Sequence, residues 1–98
     1  MYQVIILPKA EKQLFKLNKF LQERIISTLE RIKIRPFHHT KRKQGTPYFI
    51  LRIGSYRAIL DIKNNELIIL VIEIGPRGNI YKSWGVGEGL ISTFYRFN

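Results

Sequence analysis

Residues 67–74 are apolar at every position except Glu73, and no other stretch of this chain narrows its possible folds so sharply. A strand with one wet face alternates apolar and polar residues, whereas a nearly continuous apolar run suits a strand covered on both faces. The segment is therefore expected at the centre of a sheet. Residues 56–62 read as a neighbouring strand, and Asn64-Asn65 between the two tolerates the positive φ of a tight turn. If those asparagines are the whole loop, Ile62 pairs with Leu67 and Arg57 falls opposite Ile72. In a third strand Phe49, Leu51 and Ile53 alternate with Tyr48, Ile50 and Arg52, and Gly54-Ser55 makes the turn.

The first third of the chain keeps a different period. Residues 2–7 form a short apolar strand ended by Pro8, whose fixed φ suits the start of a helix. Ala10, Leu14 and Leu17 then recur at helical spacing, with Lys9, Lys12, Lys16 and Lys19 on the other faces. Asn18 interrupts or caps the end of this helix. A second helix is expected from about residue 19 to residue 34, with Leu21, Ile25, Leu29 and Ile32 as its buried stripe and Pro36 as its stop. Residues 36–47 read as one extended polar and basic connection, and residues 80–82 can add a short last strand. The order predicts an α+β fold, β-α-α-β-β-β(-β), with an N-terminal helical hairpin packed on one face of a small antiparallel sheet. The other face is left for a concave basic surface. Arg57 looks into that surface if Tyr56, Ala58 and Leu60 meet the helices.

Charge indicates what such a surface would meet. Lysine and arginine number 17 against 7 acidic residues, a formal charge of +10 on 98 residues. An excess of that size points to a polyanion: RNA, DNA, an acidic protein or an anionic membrane. Cysteine is absent, which argues against a disulfide framework or a thiolate metal site and fits a reducing cytoplasm. The opening apolar residues 1–7 are too few for a secretory signal, and no stretch reaches membrane-spanning length. A cytoplasmic protein of a single domain is the expectation, with no membrane partner.

The chemistry is carried by basic residues. No His-x₃-His pair, carboxylate cluster or Walker loop is present, so neither a metal nor a cofactor is expected. His38-His39 suggests proton transfer, because imidazoles titrate near neutrality, but adjacent histidines in a basic loop are more often solvated. Lys41-Arg42-Lys43 reads as a solvated loop or as a set of phosphate contacts independent of sequence, and the overall charge favours the second. Arg52, Arg57, Arg77 and Tyr81 are the sharper group. Pairing with Asp61 and Glu73 is their structural reading, yet two carboxylates cannot neutralise three arginines and nearby Lys82. Metal-free RNA cleavage needs a base for the ribose 2′-hydroxyl, cations for the crowded phosphorane and an acid for the leaving oxygen. Arginine suits the second task, since its planar fork grips two phosphate oxygens. A tyrosine can stack on a base or, among cations, exchange a proton.

In the order of these motifs the chain resembles the RelE/ParE superfamily of toxins from toxin–antitoxin modules, and within it the RelE branch. The resemblance rests on the opening Tyr2-x-Val4 strand, Ala10, Lys12, Leu14 and Leu17, and the second helix closing near Pro36. It continues through Lys43-x-Gly45, Tyr48, Arg52, Gly54-x-Tyr56-Arg57, Gly75-x-Arg77 and Ile80-Tyr81. It implies a toxin domain over residues 1–84, while the tail over 85–98 departs from the pattern, since Gly85, Gly87 and Gly89 argue against the closing helix common in relatives. It further implies a ribosome-dependent endoribonuclease (an mRNA interferase) that cuts mRNA in the A site by 2′-hydroxyl attack. Arg57 and Arg77 would be the transition-state and leaving-group cations, Tyr81 the stacking or activating phenol, and Arg52 a further catalytic cation. Lys41, Arg42, Lys43 and Lys82 would bind RNA or ribosome. The implied partners are the ribosome, mRNA and a small acidic RelB-like antitoxin, joined in a hetero-oligomer. Ile50 departs from the pattern, standing where relatives carry a second basic residue. Two rival readings share the scaffold: a ParE-like inhibitor of DNA gyrase, and a degenerate toxin that binds RNA or ribosomes without cutting.

Overall fold

Ile68–Pro76 forms the strand that the apolar run demands, and it lies inside a sheet with neighbours on both edges. In the computed structural model, residues 1–77 are described. The elements are β1 (Gln3–Ile6), α1 (Pro8–Phe15), α2 (Lys19–Arg31), a 3-10 turn at Pro36–His38, β2 (Thr40–Arg42), β3 (Phe49–Ile53), β4 (Tyr56–Lys63) and β5 (Ile68–Pro76). The strands join in the order β1-β5-β4-β3-β2. The α+β arrangement is as expected, with one refinement: β1 runs parallel to β5, pairing Gln3 with Ile68 through Ile6 with Val71, so the sheet is mixed. Tyr81, Lys82, the strand expected over 80–82 and the tail over 85–98 lie outside the described residues. No helix among those described is long and apolar enough to cross a membrane.

One core forms where the helices meet the sheet. Ala10 and Leu14 of α1, with Ile25 and Leu29 of α2 and the adjoining Ile32, pack on Leu51, Ile53, Ala58, Leu60, Ile62, Ile69, Val71 and Ile74. Burying each Leu or Ile side chain contributes about 1.5–3 kcal/mol. That outweighs the low helix propensity of the β-branched isoleucines in α2. Asn18 caps the start of α2 rather than the end of α1, its side chain accepting the Leu21 N–H at 2.9 Å. The second helix ends at Arg31, and Pro36 opens the 3-10 turn instead of stopping it.

Two expectations fail for local reasons. Residues 36–47 are not one connection, because Thr40–Arg42 pairs with β3 as a short edge strand. The β4–β5 register also differs: Lys63 pairs with Ile68 around a four-residue loop, and Arg57 faces Gly75 rather than Ile72. Leu67 adopts φ 56°, a left-handed turn conformation that asparagine was expected to supply. A bulge then leaves Ile72 extra between the Leu60–Val71 and Ile59–Glu73 pairs. Together, the longer loop and the extra residue shift every partner of β4.

Candidate functional site

The sheet face turned away from the helices carries the basic surface. On β4, Ala58 and Leu60 enter the core beneath the helices, so the alternation of a strand sends Arg57 and Ile59 the other way. Ile59 packs there in a small second cluster with Tyr48 and Ile72, against which Ile50 and Leu7 are laid. Ile50 is thus apolar because it roofs this cluster. Direct pairing then sets Arg52 opposite Arg57, and Arg57 opposite Gly75, which adds no side chain to the row.

Beside this row, β2 closes the edge of the sheet, with Lys41 paired to Ile50. Lys43 extends the same edge, donating its N–H to the Tyr48 carbonyl at 2.8 Å. Arg42 Nε donates to the Thr46 carbonyl at 3.2 Å, which ties the strand to the loop that follows. At the opposite side, Arg77 directly follows β5, and its N–H donates to the Ser55 carbonyl in the β3–β4 turn at 3.1 Å. The result is one groove of about 570 Å³ lined by Lys41, Arg42, Lys43, Arg52, Arg57 and Arg77. Every sequence-predicted site residue within the described range is in it.

Burial differs sharply around the groove. Arg57 is only 6 % exposed, while Lys41, Arg42, Arg52 and Arg77 are open to solvent. A buried guanidinium is held in one position, and the exposed ones can move to meet a ligand. Carboxylates do not line the groove among the described residues. The two strand acids each bond a lysine: Asp61 bonds Lys63 at 3.0 Å and Glu73 bonds Lys9 at 3.2 Å. No three His, Asp or Glu side chains gather to hold a metal ion among the described residues.

His39, Gln44 and Ile50 also line the groove. Of these, sequence reasoning set His39 aside as a solvated loop residue, because β2 was not recognised. A strand over 40–42 would have brought its neighbour to the sheet. What this arrangement can do chemically is clear in outline: it collects positive charge around one open groove.

The sequence profile of the family described as the ParE toxin of the type II toxin–antitoxin system parDE matches residues 4–81. This chain belongs to that family, within the RelE/ParE superfamily. Its fold is that of RelE-like toxins. The toxin–antitoxin complex RelBE2 of Mycobacterium tuberculosis matches with a TM-score of 0.70 at 20 % identity, covering 78 % of this chain and 98 % of that one. The archaeal RelE–RelB complex of Pyrococcus horikoshii gives 0.70 at 24 % identity, with 79 % and 96 % covered. The isolated E. coli RelE toxin gives 0.69 at 16 % identity over 100 % of both chains. Among curated protein sequences none matches this chain. At such identities the structural likeness speaks for the fold.

Proposed function

We propose that this chain is the toxin of a type II module and acts as a metal-independent, ribosome-dependent endoribonuclease cutting mRNA in the A site, with residues 1–84 as its toxin domain. The carrying observation is the groove, in which Arg52, Arg57 and Arg77 stand together with Lys41 and Lys43 and no described carboxylate. A phosphodiester undergoing 2′-hydroxyl attack gathers charge on its equatorial oxygens. Donors already fixed at those oxygens stabilise that state more than the ground state. Arg57, buried and immobile, takes this role. Arg77, on the far side of the groove, serves the leaving 5′-oxygen, and Arg52 shares the equatorial charge. Tyr81 stacks on the nucleotide or passes a proton, and Lys82 joins Lys41, Arg42 and Lys43 in holding RNA backbone. The products are a 2′,3′-cyclic phosphate and a 5′-hydroxyl. In the resting module a small acidic RelB-like antitoxin covers these cations, forming a toxin–antitoxin hetero-oligomer in the cytoplasm.

A second reading, inhibition of DNA gyrase through protein contacts, is favoured by the ParE profile that matches the sequence. Incubation with translating ribosomes on a defined message, followed by mapping of new mRNA ends, separates the two. Cuts at the A-site codon support the nuclease. Intact message together with lost supercoiling activity of gyrase would replace it with the inhibitor.

A further inference from the structure

We propose that His39 is the general base of this groove, an assignment that rests on the cleavage reading above. Among the described lining residues the groups with charge are Lys41, Arg42 and Lys43 from β2 and the turn after it, Arg52 from β3, Arg57 from β4 and Arg77 beyond β5. Arginine keeps its proton in proteins and has no lone pair to offer, whereas a lysine must give up its charge before it can act as a base. Gln44 and Ile50 take no proton either. A histidine is the one side chain type in this set that accepts a proton in the neutral range. Its neighbour His38 does not line the groove.

Position supports the role. The 3-10 turn at Pro36–His38 ends on His39, whose N–H donates to the Pro36 carbonyl at 3.3 Å. Thr40 Oγ1 donates to the same carbonyl at 3.0 Å, so the approach to β2 is pinned from both sides. Thr40 pairs with Leu51, the residue before Arg52, and Arg52 pairs with Arg57. His39 therefore reaches the groove at the end of the sheet where both strand arginines stand. Across the strand order the groups run His39, Arg52, Arg57, Arg77, with strands about 4.8 Å apart. The outer two stand on opposite sides of the pair between them. An in-line displacement needs its base and its leaving-group cation on opposite sides of phosphorus, with the equatorial oxygens between them. The order of these backbone positions is the one such an arrangement needs. Ile50, laid against Tyr48, Ile59 and Ile72, offers no such group.

In the step itself an imidazole nitrogen of His39 takes the proton of the ribose 2′-hydroxyl, and the oxygen lone pair forms the new bond to phosphorus. The bond from phosphorus to the 5′-oxygen breaks with its electron pair on that oxygen, which is protonated from water. The imidazolium returns its proton to solvent.

The test measures single-turnover cleavage of ribosome-bound mRNA between about pH 5.5 and 8.5, the span in which histidine changes charge. Wild type is expected to cut faster as pH rises through that range and then to level off. His39→Gln should cut about a hundredfold or more slowly, with the acidic limb flattened and the melting temperature unchanged. Free imidazole should restore part of the rate of His39→Gly, which a merely structural role would not allow. Unchanged rate and pH profile in His39→Gln would overturn the assignment while leaving the nuclease reading intact. Full activity of His39→Arg would also overturn it, since a phosphate-binding cation that cannot release its proton would then suffice. A wild type that leaves ribosome-bound message uncut removes both readings together.

Discussion

Arg52 and Arg57 are direct partners across the β3–β4 hairpin, two cations facing one another on the sheet face away from the helices. Like charges directly opposite weaken a strand pair by roughly 0.2–1 kcal/mol. A hairpin selected only for stability would avoid such a pair, and a site for a phosphate would use it. Replacing Arg52, the exposed member, should therefore stabilise the free protein. We expect Arg52→Gln to raise the thermal midpoint by about 1–6 °C at low salt. Added phosphate should stabilise wild type more than the variant, because a ligand bound only by the folded state raises its stability. Thermal melts with and without phosphate test both statements. A lower midpoint in Arg52→Gln would mean that the repulsion is already offset within the protein.

Arg57 and Arg77 occupy different settings and should respond differently. Arg77→Ala removes an exposed side chain, so cleavage should fall about a hundredfold or more, the scale of one lost transition-state donor, with no change in melting. Arg57 is buried, and truncation would also disturb packing. Arg57→Lys is the cleaner probe: it keeps the charge and loses the planar fork. We expect ribosome binding to persist and the cleavage rate to drop. Single-turnover rates set beside binding measured by co-sedimentation decide this, and equal losses in rate and affinity would reassign Arg57 to docking.

Much of this site was readable from side-chain alternation. Of the three residues expected to meet the helices, Ala58 and Leu60 pack in the core beneath them and Tyr56 lies outside that cluster; the two are enough to fix the face of Arg57. The apolar run now in β5 announced an interior strand with equal clarity, although the middle place of the five is taken by β4. Other features left no local trace. Thr40–Arg42 is polar throughout, as protected sheet edges are, and without it Lys41, Lys43 and His39 looked like loop residues. The register of β4 on β5 depends on Leu67 entering the left-handed region and on one extra residue at Ile72. Neither choice has a signature in residue type. Parallel pairing of β1 with β5 joins residues more than sixty positions apart, and such contacts are set by packing of the whole sheet rather than by any short motif.

Lys41 and Lys43 stand on the outer edge of the groove, where phosphate contact would add affinity without sequence preference. For the double variant Lys41→Gln and Lys43→Gln we expect weaker ribosome association at every salt concentration. The slope of log affinity against log salt should shrink by about 0.7–0.9 for each phosphate the variant no longer neutralises. The cut site within the codon should stay the same, because the arginines proposed to position the scissile phosphate are untouched. Binding isotherms over a salt series provide the slope, and a shifted cut site would place these lysines in the chemistry instead of the docking.

At the far edge of β5, one contact from α1 satisfies the strand end that leads to Arg77. β1 ends its pairing at Val71, with the Leu7 N–H reaching the Val71 carbonyl at 3.0 Å. Beyond that point the Ile74 N–H would be an unpaired edge donor, although Ile74 itself is 1 % exposed. Gln13 of α1 meets it, its Oε1 accepting at 2.8 Å, while Lys9 one turn earlier bonds Glu73. A buried donor left without a partner costs about 1–3 kcal/mol. Gln13→Leu should accordingly lower stability by that amount, whereas Gln13→Glu, which keeps an acceptor, should lose less. Because Ile74 adjoins Gly75, the partner of Arg57, and Arg77 follows two residues later, loosening this edge should also slow cleavage. Urea unfolding together with amide exchange at Ile74 tests the link. Faster exchange at Ile74 with an unaltered cleavage rate would show that the edge clamp and the arginine row are independent.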